Sequence, residues 1–151
     1  LKQDQIQAQG HSIEARLYAE DSDQGFLPST GQLHHLKFGP GLRVETGVTQ
    51  GGQVTPYYDP MIAKLVTFAE NRELAINRMV RAIDEYQITG IQTTLPFCKY
   101  TLNHKEFRSG HFDTNFVKNH FAFFVLSVVH GSLNIHTTDP YSQRLVETKE
   151  R

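Results

Sequence analysis

The chain holds a single cysteine, Cys98, among 151 residues. That excludes an internal disulfide framework and suits a reducing compartment. Tryptophan is absent, so the bulky apolar volume must come from ten Phe and six Tyr. Neither sign of charge prevails: 15 Lys and Arg stand against 16 Asp and Glu, a formal net charge of −1. No basic excess is left to attract nucleic acid. The longest apolar run, Phe121 to Val129, falls short of the roughly 20 residues a membrane-crossing helix needs, so no membrane partner is expected. No signal peptide opens the chain. Leu1-Lys2-Gln3-Asp4-Gln5 is polar and begins without Met, as expected of a piece excised from a longer protein.

Several chemical signatures are missing too. There is no G-x-x-x-x-G-K-[ST] phosphate loop and no G-x-G-x-x-G, and Gly51-Gly52 is too short to cradle phosphates. The eight histidines are scattered apart from His34-His35, and none forms H-E-x-x-H; no metal site is expected. No G-x-S-x-G elbow appears. Taken alone, the chain has no complete catalytic constellation.

What is present is a strand carrying an arginine. In the stretch Gly10 to Asp21, Ile13, Ala15, Leu17 and Ala19 alternate with Ser12, Glu14, Arg16 and Tyr18. Period-two alternation marks a half-buried strand, whose successive side chains face opposite ways. The apolar set faces a core. Glu14, Arg16 and Tyr18 then share the other face, where a carboxylate and a phenol hold a guanidinium whose remaining donors reach an anion. The plain alternative is a solvated surface charge, which is common in any fold.

Turn chemistry follows at residues 20–25, then a loop at Phe26-Leu27-Pro28-Ser29-Thr30-Gly31 that Phe26 and Leu27 should pin. Residues 32–38 read as a strand of poor alternation, 42–48 as a better one, and Gly51-Gly52 as a hairpin turn before Gln53-Val54. Pro56-Tyr57-Tyr58-Asp59-Pro60 is a rigid loop presenting two aromatics and a carboxylate. Met61 to Ala69 is apolar enough for a central strand. Asn71 then caps an amphipathic helix over 72–86, with Ile76, Met79, Val80 and Ile83 on its core stripe and Arg72, Arg78, Arg81 and Asp84 on its wet face. Thr93 or Thr94 caps a second helix to about Leu102, in which Cys98 is a buried, inert thiol; His104 to Ser109 adds a turn, and Thr114 caps a short helix to about His120. Strands first and helices after predict an α+β fold: a mainly antiparallel sheet with helices packed on one side.

Three segments together resemble one family. Gly10 to Asp21 is similar to G-H-[AS]-[IFV]-E-[AC]-R-[IL]-x-A-E-D, Gly25 to Gly31 to G-F-L-P-S-x-G, and Tyr57 to Leu65 to Y-Y-D-P-M-I-x-K-L. All three occur, in this order and at similar spacing, in the C-terminal lobe of biotin carboxylase, in wording nearest the biotin-carboxylase subunits of acyl-CoA carboxylases. The resemblance covers residues 1–121. Residues 122–151 stand as an unassigned tail, partly disordered or a junction to a further domain.

The resemblance implies an enzyme, a ligase, that uses ATP and bicarbonate to carboxylate biotin on a carrier domain. It implies that Arg16 is catalytic and contacts bicarbonate and the biotin ureido oxygen. Tyr58 and Asp59 are expected beside the substrate cleft, Glu14 and Asp59 as neighbours that orient Arg16, and Arg43 near a subunit interface. Asp59 could equally cap a turn between its prolines. The implied cofactors are biotin on its carrier and ATP with magnesium bound by the missing upstream lobe. The implied partners are that ATP-grasp lobe, the biotin carboxyl carrier domain and a carboxyltransferase subunit, in an oligomer placed in the cytoplasm or mitochondrial matrix. Two other readings stand beside it: a non-catalytic subunit-interaction module in which Arg16 only pairs with Glu14, and the same lobe of a pyruvate or urea carboxylase. The isolated chain is expected to be inactive. Purified alone, it should show no bicarbonate-dependent ATPase and no binding of magnesium-nucleotide in calorimetry; turnover by this chain alone would contradict that.

Overall fold

The computed structural model describes residues 1–121; the tail assignment of 122–151 lies outside the described residues. They belong to two compact units, one of Leu1–His111 and one starting at Phe112. In chain order the first unit contains β1 (His11–Tyr18), β2 (Glu20–Asp21), β3 (Leu27–Pro28), β4 (Gly31–Gln32), β5 (His35–Lys37), β6 (Arg43–Thr46), β7 (Gln53–Val54), β8 (Met61–Ala69), α1 (Arg72–Asp84), β9 (Gln87–Thr89), α2 (Leu95–Asn103) and α3 (Lys105–Ser109). In the second unit residues 116–121 are helical. Asp113, and not Thr114, serves its start: the Asp113 carboxylate accepts from Asn115 N at 2.8 Å.

The principal sheet has the order β1-β8-β6 and is antiparallel throughout. Alternation decides its faces. Ile13, Ala15 and Leu17 of β1 are buried, as are Ala63, Leu65, Thr67 and Ala69 of β8. Ser12, Glu14 and Arg16 point the other way, to solvent. The inner face is covered by α1, whose Ala75, Ile76, Met79 and Ile83 are buried. Asn71 caps α1 by accepting from Leu74 N at 3.0 Å. Thr67 is buried among these apolar groups, and its hydroxyl is satisfied by donating to the Ala75 carbonyl at 3.0 Å. This is the expected α+β arrangement. α2 packs on α1, and α3 packs on α2 and α1.

Several expectations change in detail. The single strand expected over 32–38 is two short strands, because Leu33 turns inward to full burial; β4 pairs with β7 and β5 with β9. The turn at Gly51-Gly52 therefore returns the chain to β4, not to β6, which is taken by β8. At three residues, β9 is too short to carry a period. Gly90 follows it with φ +109, and a Cβ there would lie 1.8 Å from the Gln32 carbonyl oxygen; the residue is needed for a left-handed backbone and for this close approach. Leu27 is exposed, so Phe26 alone of that pair anchors its loop.

Arg72 is not a solvated charge of the wet face. It donates to the carbonyls of Phe107 and Arg108 at the end of α3, lies 4.9 Å over the Phe107 ring and meets His11 Nε2 at 3.2 Å. Asp84 is likewise engaged, in an ion pair with Lys99 that joins α1 to α2.

Leu65 is fully buried, opposite Ala15 on one side and Val44 on the other. Leu65→Ala should destabilise the protein by about 2–5 kcal/mol, whereas Tyr57→Ala, on a side chain 93 % exposed, should change stability by less than about 0.5 kcal/mol. Urea titration followed by circular dichroism checks both.

Candidate functional site

Among the described residues β1 pairs with a strand on one side only, β8, and its residues line a groove of about 340 Å³. Glu14, Arg16 and Tyr18 line one wall; Phe97, Cys98 and Thr101 of α2 line the other. Phe26 contributes a ring as well. Its backbone takes the left-handed φ of 63°, unusual for a bulky residue, and its ring meets Phe97 edge-on at 5.2 Å. The groove is thus apolar and aromatic at its sides with one guanidinium in its wall.

That guanidinium is held by its neighbour on the strand face. Arg16 Nε donates to Glu14 Oε1 at 3.2 Å, and Tyr18 lines the same groove wall two residues on. Glu14 first and Tyr18 second raise the Arg16 pKa above its ordinary value, so the charge is permanent. The side chain keeps 59 % of its surface. An exposed pair of this kind contributes little to stability, and its effect is positional. Arg16 stands directly across from Lys64 in the β1–β8 register, and Glu45 is across from Lys64 on the far strand. Directly opposed residues share a face, and their side chains are close neighbours. Two cations therefore stand together on the outer face, flanked by Glu14 and Glu45.

The rigid loop lies at the far end of β1. Ala19 N donates to the Pro60 carbonyl at 2.8 Å, which ties the loop to the strand. Asp59 Oδ1 accepts from Met61 N at 2.8 Å, the turn-capping role. Its carboxylate also bears on Glu20, a groove residue: burial pushes the Glu20 carboxyl up, and Asp59 adds to the rise. Among the described residues the ion pair of Arg16 is with Glu14, not with Asp59. Tyr58 is exposed and lines a separate cavity of about 50 Å³ with Ala19, Pro28 and Pro60. Arg43 lies on the outer face of β6, exposed, in an ion pair with Glu45 at 2.8 Å. The structure therefore gathers Glu14, Arg16 and Tyr18, and leaves Tyr58 and Arg43 elsewhere.

Three neighbours escape a reading of the sequence. Lys64 reaches Arg16 through strand register, Glu20 enters the groove through the turn after β1, and Thr94 approaches Tyr18 from 76 residues away. Only Lys64 left a signal, as the charged residue at an outward position in an otherwise apolar strand.

What the site presents is a cation paired with a carboxylate in an aromatic groove, on an α+β lobe. Comparison with known proteins specifies it. Residues 14–119 match the family model described as the biotin carboxylase C-terminal domain. The chain is 47 % identical over 123 residues to the mitochondrial methylcrotonoyl-CoA carboxylase subunit alpha of Dictyostelium discoideum, covering 80 % of this chain and 18 % of that protein. It is 46 % identical over 120 residues to the biotin carboxylase of Halalkalibacterium halodurans, covering 78 % of this chain and 26 % of that protein. Among solved structures, the dimeric biotin carboxylase domain of Hydrogenobacter thermophilus 2-oxoglutarate carboxylase, with MgADP, ADP and bicarbonate, superposes with a TM-score of 0.77 at 40 % identity, over 82 % of this chain and 28 % of that one. The chain belongs to the biotin carboxylase C-terminal domain family, and it spans roughly a fifth to a quarter of the curated relatives' length.

Cys98 faces the groove yet is not poised to react. Burial pushes its thiol up to about 11, against a smaller opposing effect of the Thr94 hydrogen bond. Only about one thiol in a thousand is then ionised near pH 8. Ellman's reagent should react slowly with the folded protein at that pH, faster as pH rises, and with one thiol at once on unfolding. A fast reaction in the native state contradicts this.

Proposed function

We propose that this chain is the C-terminal lobe of a biotin carboxylase, which uses ATP and bicarbonate to carboxylate biotin on a carrier domain within an acyl-CoA carboxylase. The observation that carries the reading is Arg16, bonded to Glu14, with Tyr18 on the same groove wall and Lys64 opposite. Bicarbonate is a small planar anion, and a forked guanidinium meets two of its oxygens at once. When biotin gives up its ureido proton, negative charge grows on the ureido oxygen. A cation already in place stabilises that charge more than it stabilises the neutral ring, which lowers the barrier. The bond to Glu14 reduces the reorganisation that Arg16 must undergo. Tyr58 and Asp59, on the loop tied to the end of β1, border the path by which substrate arrives. Arg43, exposed on β6, faces the second copy in a dimer, as the dimeric relative suggests.

In this reading MgATP is bound by the ATP-grasp lobe upstream. The residues described here bind, orient and stabilise charge. The partners are that lobe, the carrier domain and a carboxyltransferase subunit. The compartment is the cytoplasm or the mitochondrial matrix, and the mitochondrial relative supports the second.

In the full-length enzyme, Arg16→Ala should lower kcat/KM for biotin carboxylation by about 100-fold or more. The thermal midpoint should stay near wild type, because the Arg16–Glu14 pair is exposed. Arg16→Lys should restore little, lacking the fork. Activity and stability falling together would favour the non-catalytic interaction module.

A further inference from the structure

Thr94 stands just before α2, where a threonine normally caps the helix with its hydroxyl. Here it does not: α2 has no side-chain cap bond. The hydroxyl instead accepts from Tyr18 N at 3.1 Å, and Thr94 N donates to the Tyr18 carbonyl at 3.1 Å. One residue thus satisfies both backbone groups of another that is distant in the chain. Thr94 is 4 % exposed, so water is a poor substitute for either bond.

The place of this clamp matters. The β1–β8 ladder runs in register from His11↔Ala69 to Leu17↔Ala63, then slips so that Tyr18 faces Met61. Ile62 is the extra residue, and its carbonyl is taken by the Thr46 hydroxyl at 2.9 Å. Such a bulge re-aims the neighbouring side chains and interrupts the ladder that would fix them. Tyr18, which lines the groove beside Arg16, is therefore the residue of β1 that the sheet holds least, and Thr94 holds it from the edge away from β8. The same residue starts the helix whose Phe97, Cys98 and Thr101 form the opposite wall. We infer that Thr94 is a positioning residue: by clamping the Tyr18 backbone at the bulge, it sets Tyr18 against Arg16 and fixes the spacing of the groove's two walls. This inference rests on the assignment of Arg16 given above.

The test uses the full-length carboxylase that carries this chain. Thr94→Val removes the hydroxyl at nearly constant volume, and Thr94→Ser keeps it. Thr94→Val should raise KM for bicarbonate and for free biotin about tenfold and leave KM for ATP unchanged, since small misplacements of a charge-stabilising group are costly. Thr94→Ser should stay within about twofold of wild type. In an Arg16→Ala background, Thr94→Val should add nothing, because both changes act through one group. Wild-type KM values in folded Thr94→Val, a loss shared equally by ATP, or additivity with Arg16→Ala would each overturn the inference. Where Thr94→Val does not fold, Tyr18→Phe decides. It keeps both backbone bonds and deletes the phenol, and it should reproduce the bicarbonate and biotin defect; wild-type behaviour overturns the relay. Full activity in Arg16→Ala would sink the assignment of Arg16 itself, an outcome separate from any result at Thr94.

Discussion

The pairing of β1 with β8 is the constraint on which the rest of this lobe depends. It spans all eight residues of β1 and puts Ile13, Ala15 and Leu17 beside Ala63, Leu65 and Thr67 on one face. That shared face is the floor on which α1 lies. A one-residue shift in register would turn every one of these side chains to the wrong side, so core and site are fixed by the same alignment. Arg16 is outward because Ala15 and Leu17 are inward.

The end of that ladder is where order gives way to function. The slip at Leu17/Tyr18 falls next to Arg16, and the structure compensates with contacts from three separate parts of the chain. Thr46 takes the freed Ile62 carbonyl, Pro60 accepts from Ala19, and Thr94 spans Tyr18. A sheet that simply continued would need none of these. The result is an arginine on an open surface whose Nε is bonded to Glu14, beside a strand end secured from three directions. Its neighbours set the balance: Lys64 adds a second positive charge across the register, and Glu14 and Glu45 offset the repulsion between the two cations.

Much of this was legible beforehand, for physical reasons. β8 and the start of α1 coincide with the expected boundaries because an unbroken apolar run and an Asn cap are local signals. The burial pattern of β1 follows the alternation residue for residue. Arg16 between Glu14 and Tyr18 is also local, since i and i+2 share a face of a strand. The failures share one cause. Leu33 divides an expected strand because its burial is decided by a distant loop, through bonds with Gly51 and Gly52. Arg72 leaves the wet face because α3 folds back over it. Asp59 is a local case instead: the bond from Met61 N to its Oδ1 is the turn-capping alternative that the sequence left open.

The sequence by itself therefore determined the alternating strand, the amphipathic helix, the α+β order and the family, because periodicity, capping and ordered motifs act within a few residues. Only the tertiary structure decided which strands pair, where the bulge falls, and that Lys64, Glu20 and Thr94 stand beside the strand bearing Arg16. Register is a property of two strands together, and a hydrogen bond between Tyr18 and Thr94 has no trace in either residue's neighbours along the chain.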